Sequence, residues 1–380
     1  MINLIQQKDN TMEITAALVK EKGGKFELEK ITLQEPRQDE VLVRIVATGT
    51  CHTDMAARDQ QTGATPFPIV LGHEGAGIIE KVGDGVKNLK VGDHVVLTFG
   101  FCGECYTCQR GKPTYCENFP ALNFGGARMD GSHSHQHNQQ DIFDNFFSQS
   151  SFATYAIANK RNAIKVSEKA PLELLGPLGC GIQTGAGAII NSLKVSPGKT
   201  IVISGAGAVG LAALLAAKAC SAAEIVLVDI NQERLDFALE LGATHTINSR
   251  NENVVESLQK ISPKGFDFGF DTTGRNDVIN NTLSSLKSLG QMGIVGVATK
   301  PLEVEMNTYV LKGIKLIGIV EGDSVPTEFI PEMVEMYLNG QFPFDKLIKK
   351  YKFEDINQAI EDSESGKTIK PVILIGEYKG

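Results

Sequence analysis

Seven cysteines are spread unevenly along this 380-residue chain, and four of them form one run, Cys102-x-x-Cys105-x-x-Cys108-x7-Cys116. Thiolates spaced by two residues on a tight loop can converge on one tetrahedral ion. Four of them leave no open position, so the spacing fits a structural Zn2+ site. Gly103 and Gly111 stand where such a loop has to turn. Paired disulfides are the competing reading of the same run. Cys51, His73 and Cys180 lie far apart in the chain. Alone, each reads as packing, since an isolated Cys is usually a small buried hydrophobe. Taken together, two thiolates and one imidazole would make a zinc site with three protein ligands and an open fourth position, the arrangement of a catalytic ion.

A second chemistry is written at Gly205-Ala-Gly207-Ala-Val-Gly210, directly after the apolar run Ile201–Ser204 and at the head of an alanine-rich stretch. In this pattern the first glycine makes the turn, the second admits a pyrophosphate to the backbone, and the third packs helix on strand. The helix N-terminus then offers N–H donors to the phosphates. Asp229 ends the next apolar run, where a carboxylate accepts from ribose hydroxyls and repels a 2′-phosphate. Ile230 and Asn231 add no positive charge, and Arg234 stands further along the following helix. The cofactor expected is therefore NAD rather than NADP.

These residues need elements to position them. The chain is long enough for two domains, and its composition (42 % hydrophobic, 22 % charged, 39 glycines) is that of a globular protein. A net charge of -8 argues against a nucleic-acid or anionic-membrane partner. The first third reads as antiparallel β structure, with strands expected over 14–19, 41–47, 77–82 and 95–98. From about Pro171 the pattern changes to alternating strands and helices. Six strands (201–204, 225–228, 246–247, 266–271, 292–297, 314–319) and intervening helices (208–219, 231–241, 254–261, 277–286) predict a doubly wound parallel sheet. The stretch 174–193 is broken by glycines, Pro177, Gln183 and Thr184, so it reads as a buried helix rather than a membrane span. Helices over 328–338 and 354–363 and a strand over 371–375 return the chain to the first domain. The fold class is thus α/β: a mostly-β domain over 12–183, completed by 321–380, and a Rossmann domain over 184–320. Residues 1–11 read as a loose arm or an alternative start, with no secretory leader, and a cytoplasmic protein is expected.

Gly72-His73-Glu74-x2-Gly77-x5-Gly83-x2-Val86, together with the Cys51 motif, the four-cysteine lobe, Gly179-Cys180-Gly181 and the glycine fingerprint, resembles the zinc-dependent medium-chain alcohol dehydrogenases. The likeness covers the chain beyond residue 12. The runs Gly176–Gly187 and Gln149–Tyr155 are most similar to the aryl-alcohol (benzyl-alcohol) branch, whereas Cys180 speaks against the polyol branch, which commonly uses a glutamate there. The resemblance implies a GroES-like first domain, two zinc ions per chain, NAD, and hydride transfer between a primary alcohol and the nicotinamide, with homo-oligomers (dimers or tetramers) as the assembly. It implies catalytic roles for Thr53, which hydrogen-bonds the alcohol, and for His52, which also meets the pyrophosphate. Asp54 and Glu74 become supporting carboxylates, with Asp54 orienting His73. Thr184, Val209, Val297, Arg234 and Lys370 become cofactor contacts beside Gly205, Gly207, Gly210 and Asp229. Lys370 replaces the family's usual arginine, and Ala56 replaces a proton-relaying histidine. Thr98 and Phe99 are candidates for the substrate pocket, which favours an aromatic or prenyl-like alcohol.

Other readings stay open: a broad aliphatic or glutathione-adduct formaldehyde dehydrogenase, or a non-catalytic zinc- and NAD-binding redox sensor. The polar segment Gly125–Ser150 carries His133, His135 and His137, then Phe143, Phe146 and Phe147. Alternating histidines on an extended loop can hold a metal or simply line a solvated excursion, and the phenylalanines are expected to pin the loop down.

Overall fold

The computed structural model describes residues 11–61, 63, 65–298 and 300–376. The possible alternative start, 1–10, lies outside the described residues. The chain divides into two units, one ending at Gly179 and resumed at Ile348, the other running from Cys180 to Leu347. Among the described residues no helix is long and apolar enough to cross a membrane.

The first unit is mostly β. One sheet has five strands in the order Ile69–Val70, Thr11–Val19, Glu27–Gln34, His135–His137, Gln140–Ile142. Period-2 alternation along Thr11–Val19 turns Ile14, Ala16 and Leu18 inward against Ile31 and Leu33. A second sheet places Gly75–Val82 and Lys370–Leu374 on either side of the strand Glu40–Gly49. Val41, Val43 and Ile45 from that strand share a core with Val95 and Leu97. All its pairings are antiparallel except that of Ile348–Lys352 with Lys370–Leu374.

The second unit is built on six parallel strands in the order His245–Asn248, Glu224–Asp229, Thr200–Ser204, Phe266–Asp271, Leu286–Ile294, Lys315–Gly318. Chain order reverses between Thr200–Ser204 and Phe266–Asp271, which creates a crevice at the carboxyl ends of the strands. Ile201, Val202 and Ile203 carry no exposed surface, as expected for a strand covered on both faces.

Several elements differ from the sequence expectation. The strand Glu27–Gln34 was not foreseen, because Glu27, Glu29 and Lys30 hide an alternation in which only Ile31 and Leu33 are buried. The polar segment after Gly125 forms a hairpin, His135–His137 with Gln140–Ile142. The fifth parallel strand starts at Leu286, and an unexpected helix, Met306–Lys312, precedes the sixth. The stretch over 174–193 is buried for the most part but breaks into short helical pieces, Leu172–Leu175, Gly176–Gly179, Gly181–Gly187 and Ala188–Ser192. Pro177 and the glycines cannot sustain one helix. The return to the first unit comes at Ile348 rather than 321, since the helix Pro326–Leu338 buries Phe329, Ile330, Met333 and Val334 within the second unit.

Candidate metal and nucleotide sites

Cys51 caps the helix His52–Arg58 immediately after the strand Glu40–Gly49. The cap is closed by Asp54, whose Oδ2 accepts the Cys51 backbone N–H at 3.0 Å. The same carboxylate reaches a distant segment, with Oδ1 accepting from Gly72 N–H at 3.1 Å and bonding His73 Nδ1 at 2.9 Å. A carboxylate on Nδ1 selects the tautomer that leaves Nε2 a free lone pair. His73 Nε2 is buried and has no hydrogen-bond partner, an arrangement that costs free energy unless a ligand completes it. Cys51 Sγ, a His73 ring nitrogen and a Glu74 carboxylate oxygen lie within 4.8 Å of one another. These donors, a thiolate, an imidazole and a carboxylate, suit zinc. Cys180 opens the second unit and is bonded to Gly179, whose carbonyl accepts from Thr98 Oγ1 at 2.7 Å.

Around this group the structure reveals supports that are silent in the sequence. Gln149, 1 % exposed, donates from Nε2 to the carbonyls of His73 and Thr98 and accepts from Gly75 N–H. Lys370, expected at the pyrophosphate, is turned inward, with its Nζ donating to both Glu74 oxygens at 2.8 and 2.9 Å and to Thr50 O at 3.1 Å. Burial pushes the Glu74 carboxyl above the usual carboxylate range, and the Lys370 ammonium pulls it back. Thr53 is half-buried, with Oγ1 3.7 Å from Cys51 Sγ, while His52 is exposed and Ala56 buried. Thr98 and Phe99 are fully enclosed. The aromatic surface next to His73 belongs instead to Phe147, 4.5 Å away between ring centroids, and Phe146, with Phe124 packed on both. Phe124 is 39 % exposed.

The four clustered cysteines also converge. Their sulfurs lie within 4.8 Å of one another, with Cys102–Cys108 at 4.0 Å and Cys105–Cys116 at 3.9 Å. Such separations are about twice a disulfide bond, and all seven cysteines are free. Backbone N–H groups of Cys102, Cys105 and Glu117 point at sulfurs of the set, which favours thiolates. The Thr107 hydroxyl and nearby backbone N–H groups draw the Cys105 thiol down to about 5, whereas burial pushes Cys108 up. Gly103 and Gly111 adopt φ of +77° and +69°, the left-handed turns that the spacing called for. The histidines of the polar segment do not gather in this way. His135 is tied to the buried Asp144 at 2.8 Å, His133 stands 3.7 Å from it, and His137 lies by Glu29. They form no candidate metal group among the described residues.

In the second unit, Gly205, Asp229 and Arg234 line a cavity of about 760 Å³, with Arg250 and Arg275 also in its wall. Asp229 Oδ2 accepts from Ala206 N–H, and Oδ1 accepts from Ile230 and Asn231 N–H. Carboxylate and glycine turn are thereby locked together. The space where a Gly207 side chain would stand is open, as a close-approaching pyrophosphate requires. Arg275 is paired with Asp277. Val209 follows the turn on the helix Ala208–Ala219, Thr184 is half-buried, and Val297 is exposed.

Residues 37–168 match the alcohol dehydrogenase GroES-like domain, and residues 208–339 match the zinc-binding dehydrogenase domain. A geraniol dehydrogenase of Castellaniella defragrans is 44 % identical over 363 residues, covering 94 % of this chain and 97 % of its own. The crystal structure of an alcohol dehydrogenase zinc-binding domain protein from Burkholderia ambifaria superposes with a TM-score of 0.95 at 51 % identity, covering 97 % of this chain and 100 % of its own. That of benzyl alcohol dehydrogenase from Acinetobacter calcoaceticus gives 0.93 at 48 % identity, covering 96 % and 100 %.

Proposed function

Because the chain belongs to the zinc-binding alcohol dehydrogenases, we propose that it interconverts an aromatic or allylic primary alcohol and its aldehyde with NAD as the hydride carrier. The observation that carries this reading is His73, whose Nδ1 is fixed by Asp54 while its buried Nε2 is left without a partner. Cys51, His73 and Cys180 would hold a catalytic zinc, and Cys102, Cys105, Cys108 and Cys116 a structural one. Bound in the first set, zinc supplies the Lewis acidity that brings a hydroxyl pKa towards neutrality. Thr53 Oγ1 accepts the alcohol proton and passes it on, with exposed His52 as the outer carrier. Phe124, Phe146 and Phe147 exclude water on the His73 side and offer ring faces to a planar substrate. Two of the similar proteins are named for geraniol and benzyl alcohol, an allylic and an aromatic alcohol.

Asp229 selects NAD by repelling a 2′-phosphate. The carboxyl-edge location of Gly205 and Asp229 supports the cavity as the adenosine side of that cofactor. The free thiols fit a reducing, cytoplasmic setting. The open edge strand Lys315–Gly318 supports self-association.

The test is a panel of benzyl alcohol, geraniol, ethanol and the glutathione–formaldehyde adduct, each with NAD and NADP, read by cofactor absorbance alongside zinc analysis. Benzyl alcohol and geraniol should give the highest kcat/KM, with NAD preferred and two zinc ions per chain, of which the open site is lost first to a chelator. Preference for ethanol or the adduct would overturn the substrate class, equal use of NADP the role of Asp229, and no turnover of any alcohol the enzymatic reading.

A further inference from the structure

In the second unit the strand order places the adenosine markers, Asp229 and Gly205, at the carboxyl ends of Glu224–Asp229 and Thr200–Ser204. A dinucleotide bound across the switch point extends the other way, past Phe266–Asp271 and Leu286–Ile294 to Lys315–Gly318. At about 4.8 Å per strand this last element lies roughly 14 Å from Thr200–Ser204. The chain leaves it as Ile319-Val320-Glu321-Gly322-Asp323.

Glu321 is 8 % exposed, unusual for a carboxylate. Its Oε2 accepts from Gln183 Nε2 at 3.1 Å and Thr184 Oγ1 at 3.4 Å, and its Oε1 faces Cys180 Sγ at 3.5 Å. The backbone is held as firmly. Glu321, Gly322 and Asp323 have φ of +49°, +66° and +50°, three successive left-handed residues of which two bear side chains. The turn is clamped by Ser324 Oγ on Glu321 O, Asn191 on Gly322 O and Ser192 on Asp323. A side chain at Gly322 would collide with the carbonyl oxygen of Gln183. Strain of this kind persists only where the surroundings over-determine it, and it gathers at functional sites. Every one of these groups lies in the second unit.

We propose that Glu321 is a positioning residue that holds a fixed negative charge at the nicotinamide end of the cofactor site and thereby favours the oxidised cofactor over the reduced one. The proposal rests on the NAD-dependent reading above. The oxidised ring carries a positive charge and the reduced ring none, so a buried carboxylate nearby interacts with one form and not the other. In a medium of effective dielectric about 20, two unit charges several Å apart are coupled strongly enough to change an affinity ratio by about tenfold. The hydrogen bonds to Gln183 and Thr184 keep the charge in place through both half-reactions and hold the helix Gly181–Gly187, which begins at Cys180.

The experiment uses the zinc-loaded full chain and measures dissociation constants for NAD+ and NADH separately, NADH by its fluorescence and NAD+ by competition. Glu321→Gln keeps the shape and the acceptor for Gln183 and Thr184 while removing the charge. It should weaken NAD+ about tenfold and leave NADH within twofold, with zinc content unchanged. Glu321→Asp retains the charge and should keep the NAD+/NADH affinity ratio within threefold of the parent, even if turnover falls. Equal shifts for both cofactor forms in Glu321→Gln, or no shift, would overturn the proposal, as would an Asp variant whose ratio moves as far as that of the Gln variant. Failure of the unmutated protein to bind either form would instead sink the NAD-dependent reading itself.

Discussion

Asp54 ties two distant pieces of sequence into one site. It closes the cap on Cys51 and fixes His73 through Nδ1. Removing its charge while keeping its size, as in Asp54→Asn, should lower zinc affinity at the His73 site by about ten- to a hundredfold, measured by chelator competition. Metal at the four-cysteine lobe should be retained. An unchanged affinity would mean that the carboxylate only caps the helix. Thr53 stands beside Cys51 with its hydroxyl accessible from solvent, while Ala56 offers no proton acceptor and is buried. The proton relay therefore begins at one hydroxyl. Thr53→Ala should cut kcat by about a hundredfold or more with little change in NAD affinity, and Thr53→Ser should stay active. Near-normal turnover by the Ala variant would rule out the relay.

At the scale of elements, the polar excursion after Gly125 is braced from within by Asp144. Oδ2 of this buried carboxylate accepts from Ser134 N–H, Ser134 Oγ–H and His135 N–H, and also bonds His135 Nδ1. Burial alone would raise the Asp144 carboxyl, but the donors from His133, His135 and Ser134 prevail and hold it well below the usual range. A folded-state pKa below the unfolded one contributes stability that is complete above about pH 4 and lost as the pH falls further. Asp144→Asn should cost about 1–3 kcal/mol at neutral pH, seen as a lower melting temperature, and should flatten the decline of stability below pH 4. An unchanged melting temperature at pH 7 would remove Asp144 as the brace. None of this was legible in the sequence, where the histidines drew attention and their partner lay further along the chain. The four-cysteine lobe was legible because its ligands, its spacing and its glycines are all local. The glycine fingerprint and Asp229 were legible for the same reason. Gln149 on His73 and Lys370 on Glu74 were not, since each depends on a pairing 76 or 296 residues apart. Strand periodicity failed at Glu27–Gln34, where charges crowd a half-exposed face, and at Leu286, where Lys287, Ser288 and Gly290 mask the start of a strand.

On the scale of the whole molecule, the parallel sheet ends differently on its two sides. The strand Lys315–Gly318 pairs with Leu286–Ile294 and, among the described residues, with no strand on its other side. An open edge is a template for another chain, and proteins that stay monomeric usually blunt it. Here Leu316 is 39 % exposed, and Val310 and Leu311 on the preceding helix are 71 % and 84 % exposed. Apolar surface concentrated beside an unpaired edge marks an interface. A second copy is the occupant that matches it, because an edge strand meeting itself about a two-fold axis satisfies the backbone groups of both chains at once. Leu316→Glu would bring like charges together across such an axis while leaving the intramolecular pairing with Leu286–Ile294 intact. The unmutated protein should therefore run as a multiple of the chain mass in light scattering, and Leu316→Glu should shift it to the monomer with the circular dichroism of the folded chain preserved. Should the variant keep the parent mass, the edge strand would not be where copies of this chain meet.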